Sequence, residues 1–338
     1  EANFQEVDYH LKKEITLDPA EIVKRISDFG IVGLGGATFP SHVKLNVKED
    51  KKMDCLIING VECEPYLTAD HRLMLEKGEE IVVGIKILMK ALHVNKAVIG
   101  IEDNKHDAVE LFKRLTADEK EIQVAALQVK YPQGGEKQLI SAILNREVPK
   151  NGLPMDVGVV VNNVGTVFAI YEAIQHNKPL IERVVTVTGK KLDNPSNFWV
   201  KIGTPIKDLI EEVGGMPEGT RKIINGGPMM GKAIKNTDVP VTKGTSGILI
   251  VNEDEACRGE VKNCIRCGEC VNVCPMGLEP HLLMTLTEKG MYEKAAQEDI
   301  MTCIECGSCS YVCPSNRPLL DYIRFGKNIT KNLASSKN

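Results

Sequence analysis

The sequence is poor in aromatic residues, net charge and long apolar runs, and each shortage excludes a class of function. Aromatic side chains make up 4% of its 338 residues, which leaves little material for stacking on single-stranded nucleic acid. The net charge is −4, so the chain lacks the basic surplus that binds phosphate backbones. Its longest apolar run, around Val157 to Val161, is far shorter than the roughly 18 residues of a membrane helix. We therefore expect no nucleic-acid partner, and membrane contact only through other proteins.

Cysteine, in contrast, is abundant, and eight of the 11 cysteines fall into two runs of identical spacing. In each run, three cysteines are separated by two residues, and a fourth, three residues further on, precedes a proline. The runs are Cys264, Cys267, Cys270 and Cys274, followed by Cys303, Cys306, Cys309 and Cys313. This is the spacing of bacterial ferredoxins with two [4Fe-4S] clusters, in which the fourth cysteine of each run ligates the other run's cluster.

The ferredoxin spacing predicts two crossed ligand sets. One cluster is held by Cys264, Cys267, Cys270 and Cys313, and the other by Cys303, Cys306, Cys309 and Cys274. A disulfide framework is disfavoured because it belongs to small secreted domains, and the first residues show no signal-peptide pattern. A zinc site is disfavoured because it needs neither the third cysteine nor the fourth before proline. We expect Cys55, Cys63 and Cys257 to be buried or free thiols.

Strand and helix signals alternate between about residues 15 and 178, which predicts a mostly parallel sheet covered on both faces. A helix start is predicted at Asp18-Pro19-Ala20-Glu21, with an N-cap acid, a proline at the first helical position and an acid three residues on. The expected strands cover residues 55–59, 96–101, 122–129 and 157–161. The expected helices cover residues 78–92, 105–115, 136–145 and 166–176.

The later part of the chain divides into two further regions. Short β-rich segments between Arg183 and Val251 predict a small β-grasp-type unit, and the cysteine runs lie in a helical context. The predicted boundaries give an α/β domain over residues 1–179, the β-grasp domain over 180–252 and a helical two-cluster domain over 253–330. The polar residues 331–338 are expected to form a flexible tail.

Polar or glycine-rich loops follow three of the predicted strands, and parallel strands bring such loops to one edge of the sheet. They are Asn59–Pro65, Gln133–Lys137 and Asn162–Thr166. A fourth segment, Gly33–Pro40, is glycine-rich, so its backbone can approach a phosphate or a flavin. It matches neither the Walker A loop nor the dinucleotide fingerprint. Each loop alone is equally typical of a turn, but together they predict a ligand pocket.

The segments GLGGATFPSHVKL, INGVECEP, YPQGGEKQLI and VNNVGTV, with the cysteine runs after them, resemble a known family in this order. They resemble the C subunit of the Rnf electron transport complex, which is related to the NADH-binding flavoprotein subunit of complex I. The resemblance runs from about Asp18 to Gly326. It implies a Rossmann-like FMN/NADH domain, an SLBB-type β-grasp domain and an α-helical dicluster ferredoxin domain. The family's additional N-terminal region is expected to be missing from this chain.

The resemblance also implies which residues bind the cofactors. The glycine loop would line the flavin and the nucleotide, and Lys44 would lie on the side of the FMN phosphate. The implied binding residues are Gly33, Gly35, Gly36, Ala37, Phe39, Lys44, Asn59, Glu62, Glu64, Gly135, Glu136, Asn162, Asn163 and Thr166. We assign no catalytic acid or base, because hydride transfer requires none, and expect Glu62 or Glu64 at most to orient the nicotinamide or the flavin.

The implied activity is that of an NADH-oxidising or NAD-reducing subunit of an ion-translocating ferredoxin:NAD oxidoreductase. NADH gives up two electrons as a hydride and a [4Fe-4S] cluster accepts one, so a flavin is needed between them. The implied partners are the membrane subunits and the iron–sulfur B subunit, with ferredoxin reached indirectly. The implied location is the cytoplasmic side of the bacterial cell membrane, as a peripheral subunit.

Two other interpretations remain open at this point. The first is a related flavin and iron–sulfur reductase with soluble partners, which feeds a corrinoid or a proline reductase. The second is an electron-carrying scaffold subunit that has lost its flavin pocket. The intact glycine loop and the VECEP segment argue against the second.

Overall fold

A parallel sheet of four strands organises the first part of the structure, a computed structural model that describes residues 15–47, 51–256 and 258–335. The strand order is β3-β2-β1-β4, and every pair is parallel. The strands are β1 (Cys55–Gly60), β2 (Ala97–Glu102), β3 (Ile122–Leu127) and β4 (Val159–Asn163). The helices are α1 (Pro19–Asp28), α2 (Ser41–Leu45), α3 (Ala69–Glu76), α4 (Gly78–Leu92), α5 (His106–Leu115), α6 (Glu136–Leu144) and α7 (Val164–Gln175).

Apolar cores cover both faces of this sheet, because successive side chains of a strand point to opposite sides. Leu56 and Ile58 of β1 lie in the larger core with side chains of α1, α4 and α7. Cys55 and Ile57 lie in a second core with buried side chains of α6. The prediction of a parallel sheet with helices on both faces is therefore confirmed, and Cys55 is a buried core thiol.

The local signals place most elements within a few residues of their predicted bounds. The Asp18 carboxylate accepts from the Glu21 amide at 2.8 Å, and the Glu21 carboxylate from the Asp18 amide at 3.0 Å, which caps α1. Strand β4 begins two residues later than predicted, because residues 154–157 form a 3₁₀ turn that ends at Gly158 with a φ of 76°. Helices α2 and α3 were not predicted. Both are short, and neither has a side-chain cap from its own N-cap residue.

A second, mixed sheet follows within the same compact unit, which covers residues 1–252. Its strand order is β6-β5-β9-β7-β8, in which only β5 and β9 pair in parallel. Helix α8 (Ile206–Glu212) packs its buried side chains into the core of this sheet. The strands are β5 (Glu182–Thr188), β6 (Ser196–Lys201), β7 (Thr220–Asn225), β8 (Lys232–Ile234) and β9 (Gly247–Asn252). A small mixed sheet with one helix is the predicted β-grasp arrangement.

The second unit, residues 253–338, is helical in its described part and contains both cysteine runs. Helices α11 (Pro280–Glu288), α12 (Tyr292–Gln297) and α14 (Leu319–Ser335) pack around a small core that includes Leu283, Ala295 and Ile323. Its helices are α9 (Glu253–Ala256), α10 (Glu269–Asn272), α11 (Pro280–Glu288), α12 (Tyr292–Gln297), α13 (Ser308–Tyr311) and α14 (Leu319–Ser335).

The C-terminal end of this unit differs from the sequence-based expectation. The tail predicted to be flexible over residues 331–338 is instead helical as far as Ser335, because α14 continues through residues that include neither proline nor glycine after Gly326. Cys257 lies outside the described residues.

Within the described ranges, no helix combines the length and the apolar character that a membrane span requires. The domain boundaries at residues 179/180 and 330/331 remain predictions.

Close packing between α4 and α7 depends on Gly84, where a Cβ would lie 2.6 Å from the Val167 carbonyl oxygen. We expect Gly84→Ala to lower the free energy of unfolding by about 1–3 kcal/mol, because overpacking outweighs the better helix propensity of alanine. Urea unfolding followed by circular dichroism measures this change. Glu79→Ala, at an exposed position of the same helix, serves as the control and should stay within about 0.5 kcal/mol of the parent. A stabilised Gly84→Ala variant would contradict the packing.

Candidate functional site

The glycine-rich segment forms a closed loop, which spans residues 32–40. A β-bridge joins Val32 to Pro40, and the Gly33 amide donates to the Phe39 carbonyl oxygen at 2.8 Å. Gly36 has a φ of 118°, which side chains rarely tolerate, and a Cβ there would meet nothing within 4 Å. The backbone at Gly36 therefore borders open space, while the Phe39 side chain is 45% exposed.

Thr166 attaches this loop to the N-terminus of α7. Its hydroxyl oxygen accepts from the Leu34 amide at 2.9 Å, and the threonine is fully buried. Gly35 lies against Asn163, since a Cβ at Gly35 would be 3.3 Å from the Asn163 Cβ. Two segments that the sequence separates by about 130 residues thus meet where β4 ends. The glycine loop and the Asn162–Thr166 loop were both predicted to line the pocket, and the structure brings them together.

Asn162 and Asn163 present amide groups at this edge of the sheet. The Asn163 Oδ1 accepts from the Gly165 amide at 2.9 Å, and its Nδ2 donates to the Asp70 carboxylate at 2.6 Å. The Asn162 Nδ2 is buried, and no hydrogen-bond acceptor for it lies within the described part of the chain. A buried donor of this kind is costly unless a ligand satisfies it. Asn162 and the start of α7 thus fit an anionic group such as a phosphate.

Glu62 caps the N-terminus of α3, the short helix that was not predicted. Its two carboxylate oxygens accept from the backbone amides of Asp70 at 3.0 Å and His71 at 3.1 Å. Burial, and after it the neighbouring Asp70 carboxylate, raise the pKa of Glu62 to about 8. Burial also raises the pKa of Asp70, against the opposing effects of Asn163 and Arg183. Glu62 and Asp70 therefore form a partly buried acidic pair at the edge where Asn163 lies.

Glu64 has a different role, because it contacts the second sheet. Its carboxylate accepts from the Met229 amide at 3.1 Å and from the Met230 amide at 2.6 Å, in the turn after β7. Gly227 makes room for this contact, since a Cβ there would lie 2.2 Å from a Glu64 oxygen. This contact attaches the two sheets to each other, which explains why position 64 carries an acid. Orientation of a nicotinamide by Glu64 remains a prediction.

The remaining predicted binding residues meet around the loop after β3. The Asn59 Nδ2 donates to the Gly134 carbonyl oxygen at 2.9 Å, and its Oδ1 accepts from the Val61 amide at 3.0 Å. The Lys44 ammonium pairs with the Glu136 carboxylate in the first turn of α6, and donates to the Val161 carbonyl oxygen at 3.2 Å. Gly135 is the N-cap residue of α6. All three strand-following loops therefore converge on the carboxyl edge of the parallel sheet.

Asp70, Arg183 and Lys105 belong to this region but were missed in the sequence. An acid in the first turn of a helix was the only available signal for Asp70, and α3 itself was not recognised. Arg183 occupies an ordinary strand position, and its burial results from tertiary contacts. Lys105 pairs with the buried Glu102 at the end of β2, a contact that no motif indicates.

In the second unit, four cysteines line one small cavity with apolar walls. They are Cys274 of the first run and Cys303, Cys306 and Cys309 of the second. Burial, and then Cys303 and Cys306, raise the pKa of Cys309 to about 12. Thiolates at this spacing need a cation between them, which the irons of a cluster would supply. Backbone amides of Leu278 and Glu305 also donate to Sγ of Cys274 and Cys303, each at 3.4 Å.

Two of the other four cysteines are more open to solvent. Cys264 and Cys267 are exposed, whereas Cys270 and Cys313 both pack against the small core of Met284, Cys309 and Leu319. Burial, followed by Cys264 and Cys267, raises the pKa of Cys270. Over the described residues, no three His, Cys, Asp or Glu side chains are grouped closely enough to hold a single metal ion.

Comparison with known proteins identifies three domain types in the predicted order. Residues 26–172 match the Nuo51 FMN-binding domain, residues 184–233 the SLBB domain, and residues 263–317 a 4Fe-4S dicluster domain. The predicted fold class is confirmed by this order. The predicted cofactors FMN and two [4Fe-4S] clusters are those of the matched domains.

Solved structures support the same fold. A chain of the NAD+-reducing [NiFe]-hydrogenase in its H2-reduced state aligns with a TM-score of 0.64 at 17% identity, over 94% of this chain and 63% of that one. The air-oxidised state gives a TM-score of 0.61 at 18% identity, over 94% of this chain and 54% of that one. At this identity the likeness concerns the fold alone.

Curated relatives are far closer in sequence, and all three are C subunits of ion-translocating complexes. The relative from the proton-translocating ferredoxin:NAD(+) oxidoreductase complex of Clostridium ljungdahlii is 51% identical, over 83% of this chain and 62% of the relative. Its counterpart from the Na(+)-translocating ferredoxin:NAD(+) oxidoreductase complex of Acetobacterium woodii is 48% identical, over 92% and 70%. The counterpart from the ion-translocating oxidoreductase complex of Rhodobacter capsulatus is 46% identical, over 91% and 60%.

The chain thus spans 60% to 70% of the length of these relatives. The three matches cover 83% to 92% of this chain. The chain belongs to the family of C subunits of ion-translocating ferredoxin:NAD(+) oxidoreductase complexes.

Proposed function

We propose that this chain exchanges a hydride between NADH and FMN and passes the electrons singly through two [4Fe-4S] clusters. It would thereby act as the electron-input subunit of an ion-translocating ferredoxin:NAD oxidoreductase. One observation carries the proposal: a single chain combines a polar pocket of the FMN-binding type with a cavity lined by four cysteines. A two-electron donor and one-electron carriers can be connected in this way only if a flavin lies between them.

The pocket residues bind and orient rather than react. When bound, FMN would accept the hydride and release its electrons one at a time, which is chemistry that the cofactor itself supplies. The first turns of α6 and α7, with the buried Asn162 amide, would hold its phosphate. The glycine loop lets a second nucleotide approach, because no side chain at Gly36 fills the space above it. The Thr166 hydroxyl holds the loop in place by accepting a hydrogen bond from the Leu34 amide.

The cysteines would hold the clusters in the crossed arrangement, with Cys274 joining the second run and Cys313 the first. The apolar walls around Cys274, Cys303, Cys306 and Cys309 would exclude water from that cluster. Low solvent access and amide donors to sulfur are among the features that tune the potentials of such clusters. The exposed Cys264 and Cys267 would leave the other cluster nearer to solvent.

The proposed partners are the other subunits of the complex, among them membrane subunits and an iron–sulfur subunit, with ferredoxin reached through them. Support comes from the names of the three relatives, each of which is the C subunit of a complex. We place the chain peripherally on the cytoplasmic side of the bacterial membrane, held there by those partners.

Flavin binding is tested with the purified chain by measuring acid-released FMN and NADH:viologen activity. We expect about one FMN per chain. Thr166→Val should weaken FMN binding by roughly tenfold, because the buried Leu34 amide loses its acceptor. Thr204→Val is the matched control, since its hydroxyl bonds the Lys201 carbonyl oxygen in an exposed turn away from the pocket. A parent chain that releases no flavin and leaves NADH unoxidised would favour the scaffold interpretation.

The crossed ligand sets are tested by combining alanine substitutions and counting iron. Cys274→Ala alone should remove about four of about eight iron atoms, since one cluster is lost. Adding Cys303→Ala should remove no more, because both cysteines hold the same cluster. Adding Cys264→Ala instead should remove the rest. The reverse pattern would show that each run holds its own cluster, and Cys55→Ala controls for the loss of a thiol that is not a ligand.

A further inference from the structure

Arg183 is a buried cation that the second sheet contributes to the edge of the first. Its side chain, on β5, is 5% exposed, and an arginine is rarely so buried unless it is paired. The guanidinium donates to the Lys243 carbonyl oxygen, to the Leu34 carbonyl oxygen at 3.3 Å and, through Nε, to the Val184 carbonyl oxygen at 3.2 Å. Leu34 is the residue of the glycine loop whose amide bonds Thr166. Arg183 thus holds the loop at its carbonyl side while Thr166 holds it at its amide side.

The charge of Arg183 acts on the acidic pair beneath the loop. Burial lowers the pKa of Arg183 to about 10, while Asp70 and Glu62 both oppose this shift. Asp70 in turn accepts from Asn163, which caps α7. One continuous set of contacts therefore leads from the second sheet to the glycine loop through Arg183. The charge of Arg183 also acts on Asp70, which bonds Asn163 at the start of α7.

The other charged groups around the pair come from different elements. Lys105, after β2, acts on both Glu62 and Asp70, and its own partner is the buried Glu102. His71, which follows Asp70 in α3, directs its ring to the exposed Asp107 at 2.8 Å. The Lys105–Glu102 pair carries no net charge. Glu62 and Asp70 carry two negative charges when both are ionised, and Arg183 carries one positive charge. A surplus of one negative charge therefore remains.

We infer that Arg183 is a positioning residue of the flavin pocket, which fixes the glycine loop and offsets the charge of Glu62 and Asp70. The inference rests on the proposed FMN site. Its consequence is that the β-grasp sheet forms part of the flavin site rather than a separate appendage. Negative charge near a flavin disfavours its electron-rich reduced state, so the cation that offsets this charge also affects the flavin potential.

The pH dependence follows from the sign of the shift at Glu62. Below about pH 8 the pair retains a proton, and above it Glu62 ionises and adds negative charge at the pocket. The FMN midpoint potential should therefore fall more steeply with pH above this point than below it. Without Arg183 the charged form of the pair is less favourable, so the change of slope moves to higher pH. A residue that merely tied two sheets together would not move it.

The test measures the FMN dissociation constant and the FMN midpoint potential from pH 6 to 10 in the full chain. Arg183→Gln should weaken FMN binding by roughly tenfold and move the change of slope up by about one pH unit. Arg183→Lys should keep the position of the slope change, because the charge remains, but bind FMN more weakly, because the forked donors are lost. Lys243→Gln is the matched control, since its ammonium bonds the Gly30 carbonyl oxygen at 2.6 Å beside the same loop.

A variant of the acidic pair keeps the test decisive if Arg183→Gln does not fold. Asp70→Asn should move the change of slope to lower pH, because it removes the carboxylate that raises the pKa of Glu62. Equal FMN affinity and an unmoved slope change in Arg183→Gln would overturn the inference alone. Where Arg183→Gln does not fold, an unmoved slope change in Asp70→Asn would overturn it, because the acidic pair would then not set the charge that Arg183 is inferred to offset. A parent chain without FMN would instead overturn the proposed function, and the inference with it.

Discussion

Parallel pairing of the four central strands is the constraint on which the site depends. Because all four strands run in the same direction, their carboxyl ends meet at one edge of the sheet. Asn59 and Glu62 come from the end of β1 and Asn163 from the end of β4, and they lie in the same region for this reason. The glycine loop precedes the sheet in the chain and reaches that edge through its bond to Thr166. Chemistry that no single segment contains is assembled by topology.

Backbone groups make most of the contacts that hold this edge. The carboxylate of Glu64 binds two amides of the second sheet, Glu62 binds two amides of α3, and Arg183 donates to three carbonyl oxygens. Charged side chains that bond the backbone fix the loops without filling the pocket. The carboxylates among these side chains also place a surplus of negative charge beside a site that must accommodate an electron-rich cofactor. Arg183 and Lys105 keep that surplus small.

Sequence patterns predict the parts of this structure that depend on neighbouring residues. Helix α4 occurs at its predicted bounds, because its periodicity is strong, and α1 starts at its capping box. The four cysteines of one predicted ligand set, Cys274, Cys303, Cys306 and Cys309, line one cavity, and their role as cluster ligands remains a prediction. Helix α3 was missed because its cap, Glu62, lies seven residues before the first helical residue. Arg183 could not be recognised, since its partners are distant in sequence and its strand is otherwise ordinary.

The central claim is that a flavin in this chain converts the hydride of NADH into single electrons for two clusters. Anaerobic titration with NADH, followed by EPR spectroscopy at low temperature, tests it most directly. The account predicts that signals from two reduced [4Fe-4S] clusters appear as NADH is added, and that the same protein stripped of FMN shows none until FMN is restored. Clusters that NADH reduces equally well without flavin, or that stay oxidised in the flavin-loaded chain, would contradict it.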